Sequence, residues 1–178
     1  MKFRPQAIAG CFVVELEPHR DERGFFARAQ SRDEFEAAGL EGKVSQINLS
    51  MSHATGTVRG IHWQDPPFAE AKLIRCIGGR IFDVCVDVRA GSPTEGEWVG
   101  VELTPDNGLA LYVPPRCGHA LQTLEPQSIV LYSVSSPYHP ESERGARWDD
   151  PAFGIEWPLR TDVVLSEKDR RWPTFKRT

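Results

Sequence analysis

His62 is the side chain of this sequence best suited to proton transfer. It stands in the segment 58–64, close to Arg59, and Lys72 follows after a turn at 65–67 that can return the chain towards it. Two nearby cations disfavour a further positive charge, so they favour the neutral imidazole, which is a competent general base. A single histidine on a strand is more often structural than catalytic, so the neighbouring cations are what support a catalytic interpretation.

A shared site for Arg59 and His62 conflicts with the regular alternation of a strand. Successive side chains point to opposite faces, so residues three apart are separated. Gly60 lies between the two residues, and a glycine inside a strand often marks a bulge that resets the register. The sequence leaves both arrangements open.

Three further residues suit proton transfer or binding, but each also has a structural explanation. His119 follows a turn rich in proline and glycine at 114–118, which is common at the rim of a β-barrel. Tyr132 lies in an apolar run, where its ring would simply fill the core. Asp169 stands three residues after Ser166, which is the spacing of a helix capping box. The residues alone do not decide between these alternatives.

The composition limits the class of protein. The chain has 178 residues, enough for one domain with a sizeable core, and we assign 1–178 to a single domain. A net charge of −4 argues against a nucleic-acid partner. No apolar run approaches the ~20 residues of a membrane span, and the beginning of the sequence lacks the pattern of a signal peptide. We therefore expect a cytoplasmic protein with no membrane partner, and we expect buried free thiols at the cysteines, which are Cys11, Cys76, Cys85 and Cys117.

The elements that must position these side chains are mainly strands. Ser31 and Glu34 have capping-box spacing and Gly39 is a stop signal, which predicts a short helix over 32–38, and the segment from Ser166 predicts another. β-Branched and aromatic runs separated by turn residues predict short strands at 44–50, 72–78, 80–88, 97–103, 109–113 and 128–135. This pattern is typical of an all-β sandwich, jelly roll or barrel.

The run 81–88 allows a more detailed expectation. Its even-numbered positions are all apolar, whereas Asp83 and Asp87 lie on the other face. We expect the apolar face to belong to a core. The face with the carboxylates is expected at the surface, unless cations from neighbouring strands enclose it in a polar cavity.

Short motifs follow one another along nearly the whole chain in a specific order. The most distinctive are DERGFF at 21–26, RGIHWQ at 59–64, KLIRC at 72–76, RWDDP at 147–151 and LSEKD at 165–169. In order and spacing they resemble the dTDP-4-dehydrorhamnose 3,5-epimerases. The resemblance implies a cupin-type jelly roll that forms a homodimer and uses no cofactor. It also implies a substrate, a nucleotide-linked 4-keto-6-deoxyhexose.

The resemblance also implies a role for individual residues. His62 matches the family's base, and Asp169 matches the carboxylate that orients it. Tyr132 matches the acid, and Lys72 matches the lysine that steadies the enolate. Tyr138 matches the tyrosine that stacks on the nucleobase. The full set of implied substrate contacts is Arg23, Phe26, Arg28, Gln46, Ile47, Asn48, Arg59, Lys72, His119, Tyr138, Glu143 and Lys168.

Several positions depart from the family's usual residues. Arg28 stands where the family usually has a glutamate, and this reversal of charge leaves a CDP-linked sugar as an alternative to a dTDP-linked one. Leu49 replaces a frequent histidine, Cys117 replaces a common aromatic residue, and Leu121 stands in place of the phenylalanine of a His-Gly-Phe motif. We interpret these changes as a shift in substrate or in regiochemistry, with inversion at C3, C5 or both, and not as a loss of catalysis.

Two other classes of function stay open. A metal-dependent cupin would need His62, Glu70 and His119, but Gln64 replaces the second histidine of the usual His-x-His pair. Lys72 beside Glu70 would also oppose a divalent cation. We therefore expect no metal ion. The other alternative is a sugar-nucleotide binding protein without catalytic activity, in which replacing His62 would cost little.

Overall fold

The structure is a computed structural model that describes residues 1–177, and most of these residues lie in or between antiparallel strands. The strands are β1 (Lys2–Pro5), β2 (Phe12–Glu15), β3 (His19–Asp21), β4 (Gly24–Phe26), β5 (Gln46–Ser52), β6 (Val58–Gln64), β7 (Lys72–Gly78), β8 (Ile81–Asp87), β9 (Trp98–Leu103), β10 (Leu109–Val113), β11 (Cys117–Thr123), β12 (Ser128–Val134) and β13 (Glu143–Gly145). Helix α1 spans Arg32–Ala37 and helix α2 spans Glu167–Arg170, with a single 3₁₀ turn at Pro140–Ser142.

Two sheets form a sandwich. One has the strand order β1-β2-β10-β7-β12-β5, and the other has the order β13-β6-β11-β8-β9. Strands β3 and β4 form a separate hairpin. The prediction of an all-β, cupin-type jelly roll with a few short helices is therefore confirmed. No helix within residues 1–177 is long and apolar enough to cross a membrane.

The two predicted helices are present, but only one is capped as expected. Helix α1 begins at Arg32, although the Ser31 side chain makes no capping hydrogen bond, so that part of the prediction is wrong. Helix α1 is held instead by Phe35, which is fully buried against the outer face of the larger sheet. In α2 the Ser166 hydroxyl does accept the backbone N–H of Asp169, as the capping box requires.

Both faces of β8 are buried, which corrects one expectation. Its apolar face packs in a core cluster on the outer side of the smaller sheet, beneath Phe153 and Trp157. The opposite face was expected at the surface, yet Asp83 and Asp87 are both completely buried. Each carboxyl is enclosed because it has a partner. Asp83 contacts His119 of β11, and Asp87 accepts two hydrogen bonds from the guanidinium of Arg89.

The main apolar core lies between the two sheets. It combines side chains from β7 and β10 of the larger sheet with side chains from β8 and β11 of the smaller one, including Ile74, Leu111, Ile81 and Leu121. All four cysteines are buried free thiols, as predicted.

Candidate active site

A cavity of about 710 Å³ opens between the two sheets. Strands β5, β7 and β12 supply one wall, and β6 and β11 supply the other. A volume of this size lies within the range of ligand-binding cavities in proteins. Its polar lining includes Gln46, Asn48, Arg59, His62, Gln64, Glu70, Lys72, His119, Tyr132, Tyr138, Glu143, Lys168 and Asp169.

A bulge at Gly60 brings Arg59 and His62 to the same cavity. His62 lies opposite His119, whereas Arg59 lies opposite Leu121, so β6 contains one more residue than β11 over this interval. Gly60 has a φ of +116°, which other residues rarely adopt. The extra residue resets the alternation, and both side chains line the cavity. The alternative that the sequence left open is thereby decided in favour of the bulge.

We expect Gly60→Ala to be strongly destabilising. A Cβ atom at this position would lie 2.5 Å from the carbonyl oxygen of His119 and 2.7 Å from the Cα atom of Ala120. Overpacking together with backbone strain should lower the free energy of unfolding by ~2–4 kcal/mol. Urea unfolding measures this loss. Gly91→Ala is the matched control, because Gly91 has a φ of +72° but open space around it. Equal losses in the two variants would contradict the close approach.

His62 is paired with a carboxylate that α2 presents to it. Its Nε2 atom lies 2.5 Å from Oδ1 of Asp169, and the Ser166 hydroxyl donates to Oδ2 at 2.9 Å. Burial alone would raise the pKa of Asp169, but the hydrogen bonds from His62 and Ser166 hold that pKa below its usual range. An ionised Asp169 can only accept, so Nε2 carries a proton, and in the neutral form of this tautomer Nδ1 is the nitrogen with the lone pair that a base needs.

Asp169 therefore serves as a capping-box residue and as a partner of His62 at once. The two explanations that the sequence offered for it do not exclude each other. One carboxyl oxygen receives the Ser166 hydroxyl, and the other faces the imidazole. Trp172 adds to this arrangement, with its ring centroid 5.9 Å from that of His62. Gly145 admits the indole, since a Cβ there would lie 2.4 Å from it.

Lys72 belongs to a chain of buried polar groups beside His62. Its Nζ atom lies 3.1 Å from Oε1 of Glu70 and donates to the backbone carbonyl of His62 at 3.2 Å. Gln64 donates to the second oxygen of Glu70 at 2.8 Å. The two carboxylate oxygens of Glu70 therefore contact the Lys72 ammonium and the Gln64 amide. Residues 1–177 contain no cluster of three side chains arranged to hold a metal ion.

Tyr132 lies across the cavity from His62, on the sheet that also holds Lys72. It lies on β12, packs against the core between the sheets and also lines the cavity. Its ring therefore fills space, as the structural explanation proposed, while the residue still forms part of the cavity wall. Because His62 belongs to β6 of the other sheet, a ligand between them has an imidazole on one side and a phenol on the other.

A cluster of side chains lies at the mouth of the cavity. Glu143 accepts hydrogen bonds from the Tyr138 hydroxyl at 2.9 Å and from Lys168 at 2.6 Å. Burial would lower the pKa of Lys168, but Glu143 outweighs it and the pKa is raised. The hydrogen bond to Glu143 also raises the pKa of Tyr138. The Tyr138 ring is 55% exposed and offers a flat surface for a ligand to stack on.

Four of the residues implied as substrate contacts do not line this cavity. Arg23 and Phe26 lie on the exposed β3–β4 hairpin, and Arg28 forms an ion pair with Glu34 of α1. Ile47 points away from the cavity because it alternates along β5 with Gln46 and Asn48, which line it. The other implied contacts, which are Gln46, Asn48, Arg59, Lys72, His119, Tyr138, Glu143 and Lys168, are brought together.

Three residues that support the site were not predicted to be part of an epimerase site. Asp83, Glu70 and Trp172 each contact one of the residues described above. For Asp83 a signal was present, namely a carboxylate inside an otherwise apolar strand. For Glu70 the signal was the lysine two residues further along the chain, with which it forms an ion pair in the structure. Trp172 gave no such signal, because only the docking of the C-terminal segment brings it to His62.

A histidine–carboxylate pair and a tyrosine on opposite walls of a cavity inside a jelly roll fit the class of isomerases that transfer protons at carbon. The sequence matches the family model described as dTDP-4-dehydrorhamnose 3,5-epimerase over residues 5–177. A protein of that name from Sinorhizobium fredii is 44% identical over 175 residues, which cover 98% of this chain and 90% of the relative. The chain therefore belongs to the dTDP-4-dehydrorhamnose 3,5-epimerase family.

Solved structures agree with this assignment. The crystal structure of dTDP-4-dehydrorhamnose 3,5-epimerase from Elizabethkingia anophelis has a TM-score of 0.95 and 36% identity, and the match covers 98% of this chain and 96% of that one. The dTDP-6-deoxy-D-glucose-3,5-epimerase from Legionella pneumophila, in complex with dTDP-4-keto-L-rhamnose, has a TM-score of 0.92 and 34% identity over 98% of this chain and 92% of its own.

Proposed function

We propose that this protein epimerises a dTDP-linked 4-keto-6-deoxyhexose at C3 and C5 through an enolate. The observation that carries the proposal is the placement of His62 and Tyr132 on opposite walls of one cavity, with Lys72 beside His62. The nucleotide-sugar complex of the Legionella relative supports the substrate class.

The chemistry of the substrate requires these three groups. A ketone at C4 acidifies the protons on C3 and C5, because the carbanion that forms is an enolate. The Nδ1 lone pair of His62 removes the proton from one face, and the Tyr132 hydroxyl returns a proton from the other. Negative charge collects on the C4 oxygen in between, where the ammonium of Lys72 stabilises it. Inversion follows because removal and return occur on opposite faces.

The remaining polar groups suit the diphosphate and the nucleoside. Arg59 and Lys168 add positive charge to the cavity lining, and the exposed Tyr138 ring suits a stack on the base. Binding energy from these remote contacts holds C3 and C5 in place for proton transfer. Arg28 pairs with Glu34 within the chain, and the similar proteins are named for dTDP-linked sugars, so a dTDP-linked substrate is the first candidate.

A homodimer is the second part of the proposal. Strand β5 is the last strand of its sheet, and its outer face exposes Ile47, Leu49 and Met51. An unpaired edge beside an exposed apolar patch is typical of a protein interface. Such a dimer would also offer the hairpin residues Arg23 and Phe26 a neighbouring cavity to contact. The free buried thiols support a reducing compartment, so we propose a cytoplasmic location.

Solvent exchange tests the proposed reaction directly. The protein is incubated in deuterium oxide with dTDP- and CDP-linked 4-keto-6-deoxyhexoses, and NMR follows the label at C3 and C5. We expect deuterium at both carbons of the dTDP-linked sugar. Label at one carbon alone would make the protein a mono-epimerase, and label only in the CDP-linked sugar would assign the other nucleotide. A folded protein that incorporates no deuterium from either substrate would disprove the proposal.

A further inference from the structure

Glu70 is a buried carboxylate of the cavity to which the mechanism above gives no role. Its Oε1 atom lies 3.1 Å from Nζ of Lys72. Both side chains line the cavity, and both are buried. Removing an ammonium from water without a counter-charge is costly, so the carboxylate makes the burial of Lys72 tolerable. The two side chains therefore enter the cavity as one ion pair without net charge.

Gln64 holds the Glu70 carboxylate in place. Its Nε2 atom donates to Oε2 of Glu70 at 2.8 Å and to the backbone carbonyl of Phe68 at 2.9 Å. Its Oε1 atom accepts the backbone N–H of His139. These contacts fix which end of the amide faces the carboxylate. Glu70 consequently receives an amide at one oxygen and the ammonium of Lys72 at the other.

Lys72 keeps one donor for a ligand. An ammonium group carries three N–H donors. One faces Oε1 of Glu70, and a second reaches the backbone carbonyl of His62 at 3.2 Å. Lys72 makes no other hydrogen bond within residues 1–177. A neutral carbonyl oxygen needs only such a donor, whereas a phosphate group also gains from net positive charge, which Glu70 cancels at this point.

Arg59 is the exception among the basic side chains of the cavity. Its guanidinium donates to the hydroxyl of Ser52 and to the backbone carbonyl of Met51, which are both neutral groups. No carboxylate of residues 1–177 lies within ion-pair distance of it. The other basic side chains each have a carboxyl partner, in the pairs His62–Asp169, Lys72–Glu70, His119–Asp83 and Lys168–Glu143. The uncompensated positive charge of the cavity is therefore concentrated at Arg59.

Arg59 and Lys72 are anchored towards opposite ends of the cavity wall. The Arg59 guanidinium contacts Ser52, the last residue of β5. Lys72 pairs with Val134 of β12, which in turn pairs with Gln46, the first residue of β5. The whole strand spans about 20 Å at the usual rise per residue. A ligand can therefore present an anionic group to one cation and a neutral group to the other.

We propose that Glu70 is a specificity-determining residue, which cancels the charge of Lys72 so that this end of the cavity accepts a neutral carbonyl group and rejects phosphate. The inference rests on the proposed function, because it assigns the ketone to Lys72 and the diphosphate to Arg59. Before reaction the ketone oxygen needs a hydrogen bond but no positive charge. When enolate charge collects, the remaining N–H of Lys72 is already in place to stabilise it. A nucleotide sugar is thereby bound with its anionic end away from the reacting carbons.

Inorganic phosphate and the substrate-free protein test this cancellation of charge. Glu70→Gln nearly keeps the size of the side chain but removes its charge, so Lys72 becomes a second uncompensated cation. Removing a negative charge a few ångströms from a bound anion should tighten phosphate binding by about tenfold. Titration calorimetry measures the Kd. In the deuterium-exchange assay, phosphate should inhibit Glu70→Gln at a correspondingly lower concentration than wild type.

Two further variants locate the effect. Asp65→Asn makes the same change of charge in the same loop, but Asp65 pairs with Arg144 and does not line the cavity. Phosphate affinity should stay within about threefold of wild type in this variant, because an exposed charge is screened. Glu70→Gln combined with Lys72→Gln removes both charges and should restore the wild-type affinity. An equal gain in Asp65→Asn, or a gain that persists in the double variant, would contradict the proposal.

The binding outcomes are decisive once thermal unfolding shows that the variants are folded. A folded Glu70→Gln variant with the phosphate affinity of wild type would overturn the inference. Arg59→Gln tests it without a change at Glu70. Because the charges of Lys72 and Lys168 are both cancelled, this variant should bind phosphate about tenfold more weakly than wild type. Unchanged binding would show that a paired cation holds the anion, and it would overturn the inference as well.

The proposed function is judged by a different measurement. Phosphate binding to the substrate-free protein does not depend on catalysis, whereas failure of the proposed reaction would appear as a wild-type protein that exchanges no deuterium into the substrate. Normal exchange in wild type together with an unaltered phosphate affinity in Glu70→Gln would reject the role of Glu70 alone.

Discussion

Replacing His62 by asparagine should nearly abolish catalysis. The amide is smaller than the imidazole and ends one atom short of the Nε2 position that contacts Asp169, and it has no basic lone pair at the position of Nδ1. Loss of a general base typically costs ~10²–10⁴-fold in turnover. Exchange of substrate hydrogen with deuterium oxide should fall by the same factor, because proton removal is the step that fails.

Binding of the nucleotide provides the control for His62→Asn. The contacts proposed for the diphosphate and the base lie at Arg59, Tyr138 and Lys168, and they are unchanged in this variant. The Kd for dTDP, measured by calorimetry, should therefore stay close to the wild-type value. A variant that binds dTDP normally and still exchanges substrate hydrogen at the wild-type rate would remove His62 from the role of base.

Tyr132→Phe should separate proton removal from inversion. The variant keeps the ring that packs against the core, so the fold should be retained. Turnover to the epimer should fall by ~10²–10⁴-fold, because no acid remains on the opposite wall. Deuterium should still enter the substrate, since His62 can return a solvent-derived proton to the face from which it removed one.

The decisive measurement for Tyr132→Phe is the ratio of exchange to epimerisation. NMR reports the label and the configuration at C3 and C5 in the same sample. In wild type the two should rise together, whereas in the variant label should accumulate in substrate of unchanged configuration. Parallel loss of exchange and inversion would show that Tyr132 is needed for proton removal, which conflicts with its assignment as the acid. Unchanged epimerisation would conflict with it as well.

Much of the fold could be predicted from local patterns in the sequence. The runs at 72–78 and 109–113 coincide with strands, and the helix predicted over 32–38 ends one residue earlier at Ala37. Periodicity also identified the apolar face of β8. Strand β11 was not among the predicted runs, because Gly118, His119 and Gln122 interrupt its pattern. His119 lines the cavity, and the buried Gln122 side chain hydrogen-bonds the backbone of Leu159, so both polar positions depend on tertiary contacts.

The features of the site that the sequence left undecided depend on contacts between strands that are distant in the sequence. The shared site of Arg59 and His62 depends on a register shift against β11, and no local pattern shows the partner of a strand. The surface expectation for Asp83 was wrong because a carboxylate in a strand usually meets water, whereas here His119 encloses it. The pairing of His62 with Asp169 was predicted only from the family resemblance, because the capping motif alone explains that carboxylate equally well.

The pairing of His62 with Asp169 joins positions 107 residues apart. Strand β6 can form its ladder with β11 without α2, but the imidazole then has no acceptor to fix its tautomer. The same segment supplies Lys168 and Asp169 to the cavity wall and Phe175 to the outer core cluster, so its loss would open the cavity as well as free the imidazole. During synthesis the cavity can be completed only after residue 169 has emerged, 107 residues after the base, so catalytic readiness must wait for a distant part of the chain.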